Sequence, residues 1–130
     1  EPNNSSALNN KAPSQPKTDS QGPTLVGTGC CSGIVRGRVR LVTDPTNAKL
    51  RKGEILAARH TDPGWVMLFP LASALLVERG SLLSHSAIVA REMDLPAIVS
   101  LSSLTDWVST GDLVEMNGTT GVVRKIKSLD

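Results

Sequence analysis

Residues 78–92 read Glu-Arg-Gly-Ser-Leu-Leu-Ser-His-Ser-Ala-Ile-Val-Ala-Arg-Glu. The Gly-Ser pair at 80–81 favours a loop, and the run that follows has the spacing of apolar residues typical of a helix. Either Ser84 or Ser86 can cap that helix at its start. The stretch therefore predicts a loop that passes into a helix, with His85 close to the helix N-terminus.

Apolar runs on both sides of this stretch predict a sheet. Strands are expected where β-branched or apolar runs lie between turn signals, and short helices where the spacing changes. The predicted strands are residues 35–43, 54–59, 74–78 and 97–100, with a hairpin over 113–126 around Asn117-Gly118. The predicted helices are residues 46–50, 65–71, 84–93 and 104–108. This order predicts a mixed α/β fold with a curved or closed sheet and short helices packed on one side of it.

Composition divides the chain into two parts. Residues 1–24 contain only three apolar side chains other than proline, so burial cannot offset the entropy of ordering them. We expect this part to be a disordered linker or tail, and residues 25–130 to form one domain. Because the chain begins with Glu1 rather than methionine, we expect it to be part of a longer protein or to have been processed.

Charge and composition argue against two function classes. The net charge is +2, and the basic residues Arg36, Arg38 and Arg40 alternate with apolar ones, as on the solvated face of a strand. One Phe, two Trp and no Tyr supply few stacking surfaces, so nucleic acid is not an expected partner. No run of 18 apolar residues is present, and therefore no membrane association is expected.

The cysteines suggest the compartment. Cys30 and Cys31 are adjacent and are the only two cysteines of the chain. Neighbours in sequence rarely pair with each other, so we expect buried or half-buried free thiols in a reducing, cytoplasmic environment.

The position of His85 permits nucleophilic chemistry. A neutral imidazole is nucleophilic near pH 7, and a helix start attracts anions such as phosphate. Gly80 allows close backbone approach, Ser84 and Ser86 place hydroxyls beside the ring, and Arg91 could bind phosphate, contact a partner or pair with a nearby carboxylate. The residues alone leave open a phosphoryl carrier, a structural or capping histidine, and a metal ligand.

The metal interpretation is the weakest of the three. Only His60 offers a second imidazole, and a metal site needs further ligands at usable spacing. His60 itself is expected at the exposed end of a strand. Asp62 and Trp65 are expected to act as a helix cap and a core anchor, or else to contact another domain.

The segment around His85, together with Leu-Pro-Ala-Ile-Val at 95–99, resembles the phosphohistidine motif of the phosphoenolpyruvate-utilising enzymes. That pattern is Gly-Gly-x-x-[Ser/Thr]-His-x-[Ala/Ser]-[Ile/Val]-x-Ala-Arg-Glu, then Ile-Pro-Ala-Val-Val after a short gap. The resemblance covers about residues 25–126. Thr-Asp-Pro-Gly-Trp at 61–65 is most similar to the phosphoenolpyruvate synthase and rifampicin phosphotransferase branches. One departure is Ser81 in place of the second glycine, which would be strained if the position needs a positive φ.

The resemblance implies a swivelling β/β/α domain of a multidomain ATP-dependent phosphotransferase. His85 would be the catalytic residue, phosphorylated from ATP by an ATP-grasp domain and passing the group to an acceptor such as pyruvate on another domain. Ser84, Gly80, Ser86 and Arg91 would contact the imidazole or phosphoryl group. This domain would bind no metal or cofactor, since ATP and Mg²⁺ would be held by its partner domains. Alone it would not complete the reaction.

Two other function classes remain as alternatives. One is a non-catalytic docking or structural module that keeps the swivelling fold. The other is a binder of small molecules or nucleic acid that uses the basic strand over residues 35–43, for which the sequence offers nothing specific.

Overall fold

A computed structural model describes residues 24–127 of the chain. Of the predicted linker, 1–24, only Thr24 lies within the described residues. The strands of this part are β1 (Thr24–Val26), β2 (Thr28–Cys31), β3 (Ile34–Leu41), β4 (Ile55–Ala58), β5 (Ala74–Val77), β6 (Ala97–Val99), β7 (Leu113–Asn117) and β8 (Val122–Lys125). The helices are α1 (His85–Glu92) and α2 (Leu104–Trp107), with 3-10 helices at Pro45–Asn47 and Pro63–Leu71.

The strands form a single mixed sheet in the order β1-β8-β7-β3-β4-β5-β6-β2. Neighbours within β3–β6 run parallel, and the remaining pairs are antiparallel. The first two strands lie at opposite ends of this order although Gly27 alone separates them. The sheet must therefore curl until its two ends meet, and Gly29 of β2 accordingly lies against the Gly118 carbonyl that follows β7. This confirms the predicted mixed α/β fold with a curved sheet.

The central strands are buried on both faces, which is why they read as continuous apolar runs. On β4, Leu56 and Ala58 point into one hydrophobic cluster, while Ile55 and Ala57 point into a second. The first cluster lies beneath α1 and the 3-10 helix Pro63–Leu71.

The second cluster fills the inner side of the curled sheet. Val39, Met116 and Val123 from the antiparallel part meet the central strands there, and Leu104 and Trp107 of α2 pack with them. The expectation that all helices pack on one side was therefore wrong for α2. A curled sheet has an inner face whose apolar residues also need covering, and α2 contributes to that cover.

The parallel strands bring distant parts of the sequence to one edge. Because β3 to β6 run in the same direction, the residues after each strand gather at the carboxyl edge of the sheet. The loop that carries His85 follows β5 at this edge, between the residues after β4 and those after β6. Among the residues described, no helix has the length and apolarity needed to cross a membrane.

Candidate functional site

His85 is the first residue of α1 and is exposed to solvent. Ala87 and Ala90 of the same helix are fully buried, so their small side chains let the helix lie close to the sheet. With that face turned inward, His85 and Ile88, one turn apart, lie on the exposed face. The helix packing therefore presents the imidazole outward.

Within residues 24–127, no side-chain hydrogen bond caps the start of α1. Ser84 occupies the cap position with an extended backbone, but its Oγ donates a 2.7 Å hydrogen bond to the carbonyl oxygen of Ser81. Ser86 lies inside the helix and is only 3% exposed, with its Oγ 3.4 Å from that of Ser84. Ser84, one of the two predicted caps, is thus the N-cap residue, but neither serine side chain makes the expected capping hydrogen bond. Amide groups of the first turn are left without a side-chain acceptor, as an anion-binding helix start requires.

Three consecutive carbonyl oxygens of the loop each accept a hydrogen bond from a side chain. Ser100 Oγ donates to Gly80 at 2.9 Å, Ser84 Oγ to Ser81 at 2.7 Å, and Arg91 Nη2 to Leu82 at 2.9 Å. We call this set, carbonyls 80–82 with their three donors, the carbonyl clamp. It fixes the loop backbone from three separate positions in the sequence.

Arg91 makes a contact that was not predicted from the sequence. Its guanidinium was expected to bind phosphate or a partner domain, or to pair with Glu92, Asp94 or Glu78. It bonds the Leu82 carbonyl, while Glu78 Oε2 lies 3.8 Å from Arg59 Nε. Ser100 was not identified from sequence, although a polar residue directly after a buried parallel strand is a recognisable signal.

Gly80 adopts a positive φ of 123°, the region that favours glycine. Within residues 24–127, the non-glycine residues with positive φ are Asp94, Ser100 and Ser103. Ser81 is not among them, so replacing the second motif glycine introduces no strain of this kind. Its Oγ instead accepts a 3.2 Å hydrogen bond from the Leu83 amide, which shapes the turn before His85.

Glu78 connects the start of this loop to α2. Its Oε1 accepts hydrogen bonds of 2.8 Å from both the amide and the hydroxyl of Thr105. Burial acts to raise the pKa of Glu78, but the Thr105 hydrogen bonds and the charges of Arg59 and Arg79 together lower the pKa below its ordinary value. The carboxylate is therefore charged at neutral pH and is balanced by local partners.

Asp62 and Trp65, at the start of the second 3-10 helix, have the structural roles that were expected: a helix cap and a core anchor. Asp62 Oδ1 accepts a 2.9 Å hydrogen bond from Gly64 N, and Trp65 is 3% exposed in the core. His60 is exposed just after β4, as predicted. It lines a cleft of about 350 Å³ whose other lining residues are Leu41, Val42, Thr43, Arg59, Trp65 and Thr105.

The basic strand and the cysteines also match expectation. Arg36 and Arg40 form ion pairs with Glu115 at 2.6 Å and Glu54 at 3.1 Å, on the outer face of the sheet. Both cysteines are free, half-buried thiols, and burial raises the pKa of each. In the part of the chain that the structure describes, no group of three or more His, Cys, Asp or Glu side chains is placed to hold a metal ion.

Comparison with known proteins gives this geometry a context. Residues 50–121 match the family described as "PEP-utilising enzyme, mobile domain". An uncharacterized protein of Mycobacterium tuberculosis is 41% identical over 116 residues, which are 89% of this chain and 14% of that protein. The rifampicin phosphotransferase of Bacillus cereus is 38% identical over 99 residues, 76% of this chain and 11% of the enzyme.

A solved structure of Enzyme I is similar with a TM-score of 0.54 and 29% identity, covering 62% of this chain and 34% of that one. The chain spans only 11% to 14% of the length of the two curated relatives, so it corresponds to a small part of each. The family match covers more than half of the chain, and it includes the loop, His85 and α1. The chain therefore belongs to the mobile-domain family of phosphoenolpyruvate-utilising enzymes.

Proposed function

We propose that this domain carries a phosphoryl group on His85, as one part of a multidomain, ATP-dependent phosphotransferase similar to phosphoenolpyruvate synthase. An ATP-grasp domain phosphorylates the imidazole, and a further domain receives the group and transfers it to an acceptor such as pyruvate. ATP and Mg²⁺ bind to those partner domains, and the reaction takes place in the cytoplasm.

The observation that carries this proposal is the exposed His85 at a helix start that no side chain caps. A histidine serving only to cap or to fill the core would be turned toward a protein partner. Here the amides of the first turn and the positive end of the helix dipole are available to the phosphoryl oxygens. Ser84 directly precedes His85 and holds the Ser81 carbonyl, and Gly80 supports the loop in a conformation that suits glycine.

The chemistry consists of two displacements at phosphorus; if the β-phosphate is the one carried, water must also cleave the β–γ bond between them and release the γ-phosphate as inorganic phosphate. In the first, the lone pair of one ring nitrogen of His85 forms an N–P bond while the P–O bond to the nucleotide breaks, and its electron pair leaves with the nucleotide oxygen. In the second, an acceptor oxygen attacks the same phosphorus, and the N–P electron pair returns to the imidazole. The domain's part is to position the group and stabilise its charge.

The test is phosphorylation of the full-length protein with ATP labelled at either the β- or the γ-phosphate. We expect an acid-labile, alkali-stable label in wild type that is lost in His85→Ala. The matched control is His60→Ala, which removes the other exposed histidine and should leave the label intact. Since His85 is exposed, its substitution should change the free energy of unfolding by less than about 0.5 kcal/mol.

The outcomes separate the two functional classes. Label that depends on His85 and not on His60 supports the carrier, and the labelled position shows which phosphate is transferred. A wild type that binds ATP but never acquires a histidine label contradicts the proposal. The domain would then serve as a docking or structural module that keeps the fold.

A further inference from the structure

We propose that Ser100 is a positioning residue for the phosphoryl-carrying loop, acting through its hydrogen bond to the Gly80 carbonyl. This inference rests on the proposed function of His85. Ser100 lies outside the motif that carries the family resemblance, and it follows β6 at the carboxyl edge of the sheet.

The first observation is geometric. Ser100 Oγ donates a 2.9 Å hydrogen bond to the carbonyl oxygen of Gly80, 20 residues earlier in the sequence. Gly80 has a positive φ, of 123°, near the start of the loop. Of the three donors in the carbonyl clamp, Ser84 and Arg91 belong to the loop and to α1. Ser100 alone anchors the loop to a different strand end.

The second observation is the backbone of Ser100 itself. Its φ is 59°, a left-handed conformation that is unfavourable for serine and favourable for glycine. Residues held in such conformations persist where the surroundings impose them, and they concentrate at functional sites. A glycine would satisfy the backbone here but could not donate to Gly80. The serine therefore combines a strained backbone with a hydroxyl that fixes the loop.

The hydrogen bond has a direct consequence for His85. Gly80 begins the five-residue connection whose later carbonyls, at 81 and 82, are held by Ser84 and Arg91. With all three carbonyls fixed, the backbone leading into α1 has one orientation, and the imidazole leaves it in a defined direction. Without the Ser100 bond, the first carbonyl can rotate, and the ring samples geometries that are unproductive for in-line transfer.

Two substitutions at Ser100 separate positioning from stability. Ser100→Gly and Ser100→Ala both remove the hydroxyl, but only glycine relieves the left-handed strain. We expect both variants to be phosphorylated at His85 about fivefold to tenfold more slowly in single turnover, the range for one lost hydrogen bond. We also expect Ser100→Gly to unfold at a higher temperature than Ser100→Ala. The rates should thus be alike although the stabilities differ.

A rescue and a control complete the experiment. Ser100→Asn restores a donor on a residue that tolerates the left-handed conformation, and it should recover much of the rate. Ser103→Ala is the matched control, because Ser103 also has a positive φ, of 68°, but lies at the start of α2. We expect it to be phosphorylated at the wild-type rate in the full-length protein.

The results are readily distinguished. Wild-type labelling rates in both Ser100→Gly and Ser100→Ala overturn the positioning role and leave the proposed function intact. Rates that follow stability, with Ser100→Gly at the wild-type rate and only Ser100→Ala slow, also overturn it, because the effect would then be structural. A wild type that acquires no histidine label overturns both proposals together.

Discussion

Two loops at the carboxyl edge of the sheet can be compared almost position by position. One follows β4 and contains His60, and the other follows the neighbouring strand β5 and leads to His85. Both histidines are exposed, and both loops run into a helical segment whose inner face packs in the same hydrophobic cluster. The architecture around the two histidines is therefore similar.

The loops differ in what lies at the helix start. Asp62 closes the first with a carboxylate that accepts from Gly64, and Pro63 removes one amide donor. The start of α2 also receives a carboxylate, because Glu78 accepts from the Thr105 amide. At α1 the corresponding residue is Ser84, whose hydroxyl turns away to Ser81. Asp44 likewise accepts from Thr46 at the start of Pro45–Asn47, so among the described helices only the start of α1 has no carboxylate.

The largest expected effect comes from placing a carboxylate at the start of α1, in the position that Asp62 has in the His60 loop. Ser84→Asp should slow phosphorylation of His85 by about a hundredfold, because like charges about 4 Å apart repel by roughly 1 to 4 kcal/mol. The same change should stabilise the fold slightly by capping α1. Single-turnover labelling and thermal unfolding measure the two effects. Ser84→Asn is the neutral control, and labelling of Ser84→Asp at the wild-type rate would show that this helix start does not hold the phosphoryl group.

The next largest effect concerns the exposed surface around the loop that precedes His85. Leu83 is 84% exposed two residues before His85, and the partner domains proposed here would bury it. Leu83→Ser should raise the concentration of ATP-grasp domain, supplied in trans, needed for half-maximal labelling by about tenfold. The unfolding midpoint should not change.

The control for Leu83→Ser is Ile34→Ser. Ile34 is an apolar residue that is 65% exposed, and it begins β3 at the edge of the sheet opposite the carboxyl edge. Equal effects of the two substitutions would mean that docking does not favour the carboxyl edge.

A smaller effect is expected from removing the helix cap in the loop that contains His60. Asp62→Ala removes the cap of the 3-10 helix and should lower the free energy of unfolding by about 1 kcal/mol, measured by denaturant titration. Labelling of His85 should stay at the wild-type level. Asp62→Asn, which can still cap, should be nearly neutral. Loss of labelling in Asp62→Ala, at a temperature where it remains folded, would contradict the division between a structural and a functional loop.

The smallest effect is a pH dependence at Glu78. Its pKa is lower in the folded protein than the ordinary 4.5, so its charge contributes stability above that value. This contribution is lost as the pH falls through the folded pKa. The difference in free energy of unfolding between wild type and Glu78→Gln should therefore be constant near neutrality and shrink below about pH 4.5. A constant difference down to pH 3 would show that the charge of Glu78 does not matter.

The sequence predicted those elements that local patterns specify. The buried runs of β4, β5 and β6, the helix at His85 and the Asn117-Gly118 turn each carry their signal within a few residues. The segment that ends at Leu71 is a 3-10 helix, consistent with Pro63 and Pro70 limiting regular α-helical bonding.

The first two strands were missed because their signal is not local. Gly27 and Gly29 weaken the strand pattern of residues 24–31, yet the closing of the sheet needs them. A Cβ on Gly29 would collide with the Gly118 carbonyl, which lies close only after the sheet has curled. Gly27 and Gly29 therefore weaken the strand signal in the sequence and, for want of a Cβ, also allow the close approach that closes the sheet.

The residues of the candidate site also fall into two groups: those that a local motif indicates and those that only the fold brings together. His85, Ser84 and Gly80 lie together in one motif, so their proximity followed from the sequence. Ser100 lies near Gly80 only because β5 and β6 are neighbours in the sheet. The orientation of the Ser84 hydroxyl depends on the Ser81 carbonyl, and no spacing rule distinguishes that arrangement from a cap.

The curled sheet has a mechanical consequence. Thr24 on β1 is paired directly with Arg124 on β8, so the chain enters and leaves the described body at neighbouring points. A body whose two described ends lie at one place can rotate about that place without straining its own strands. The proposed carrier role of His85 would use such a rotation to turn the domain from one partner toward another.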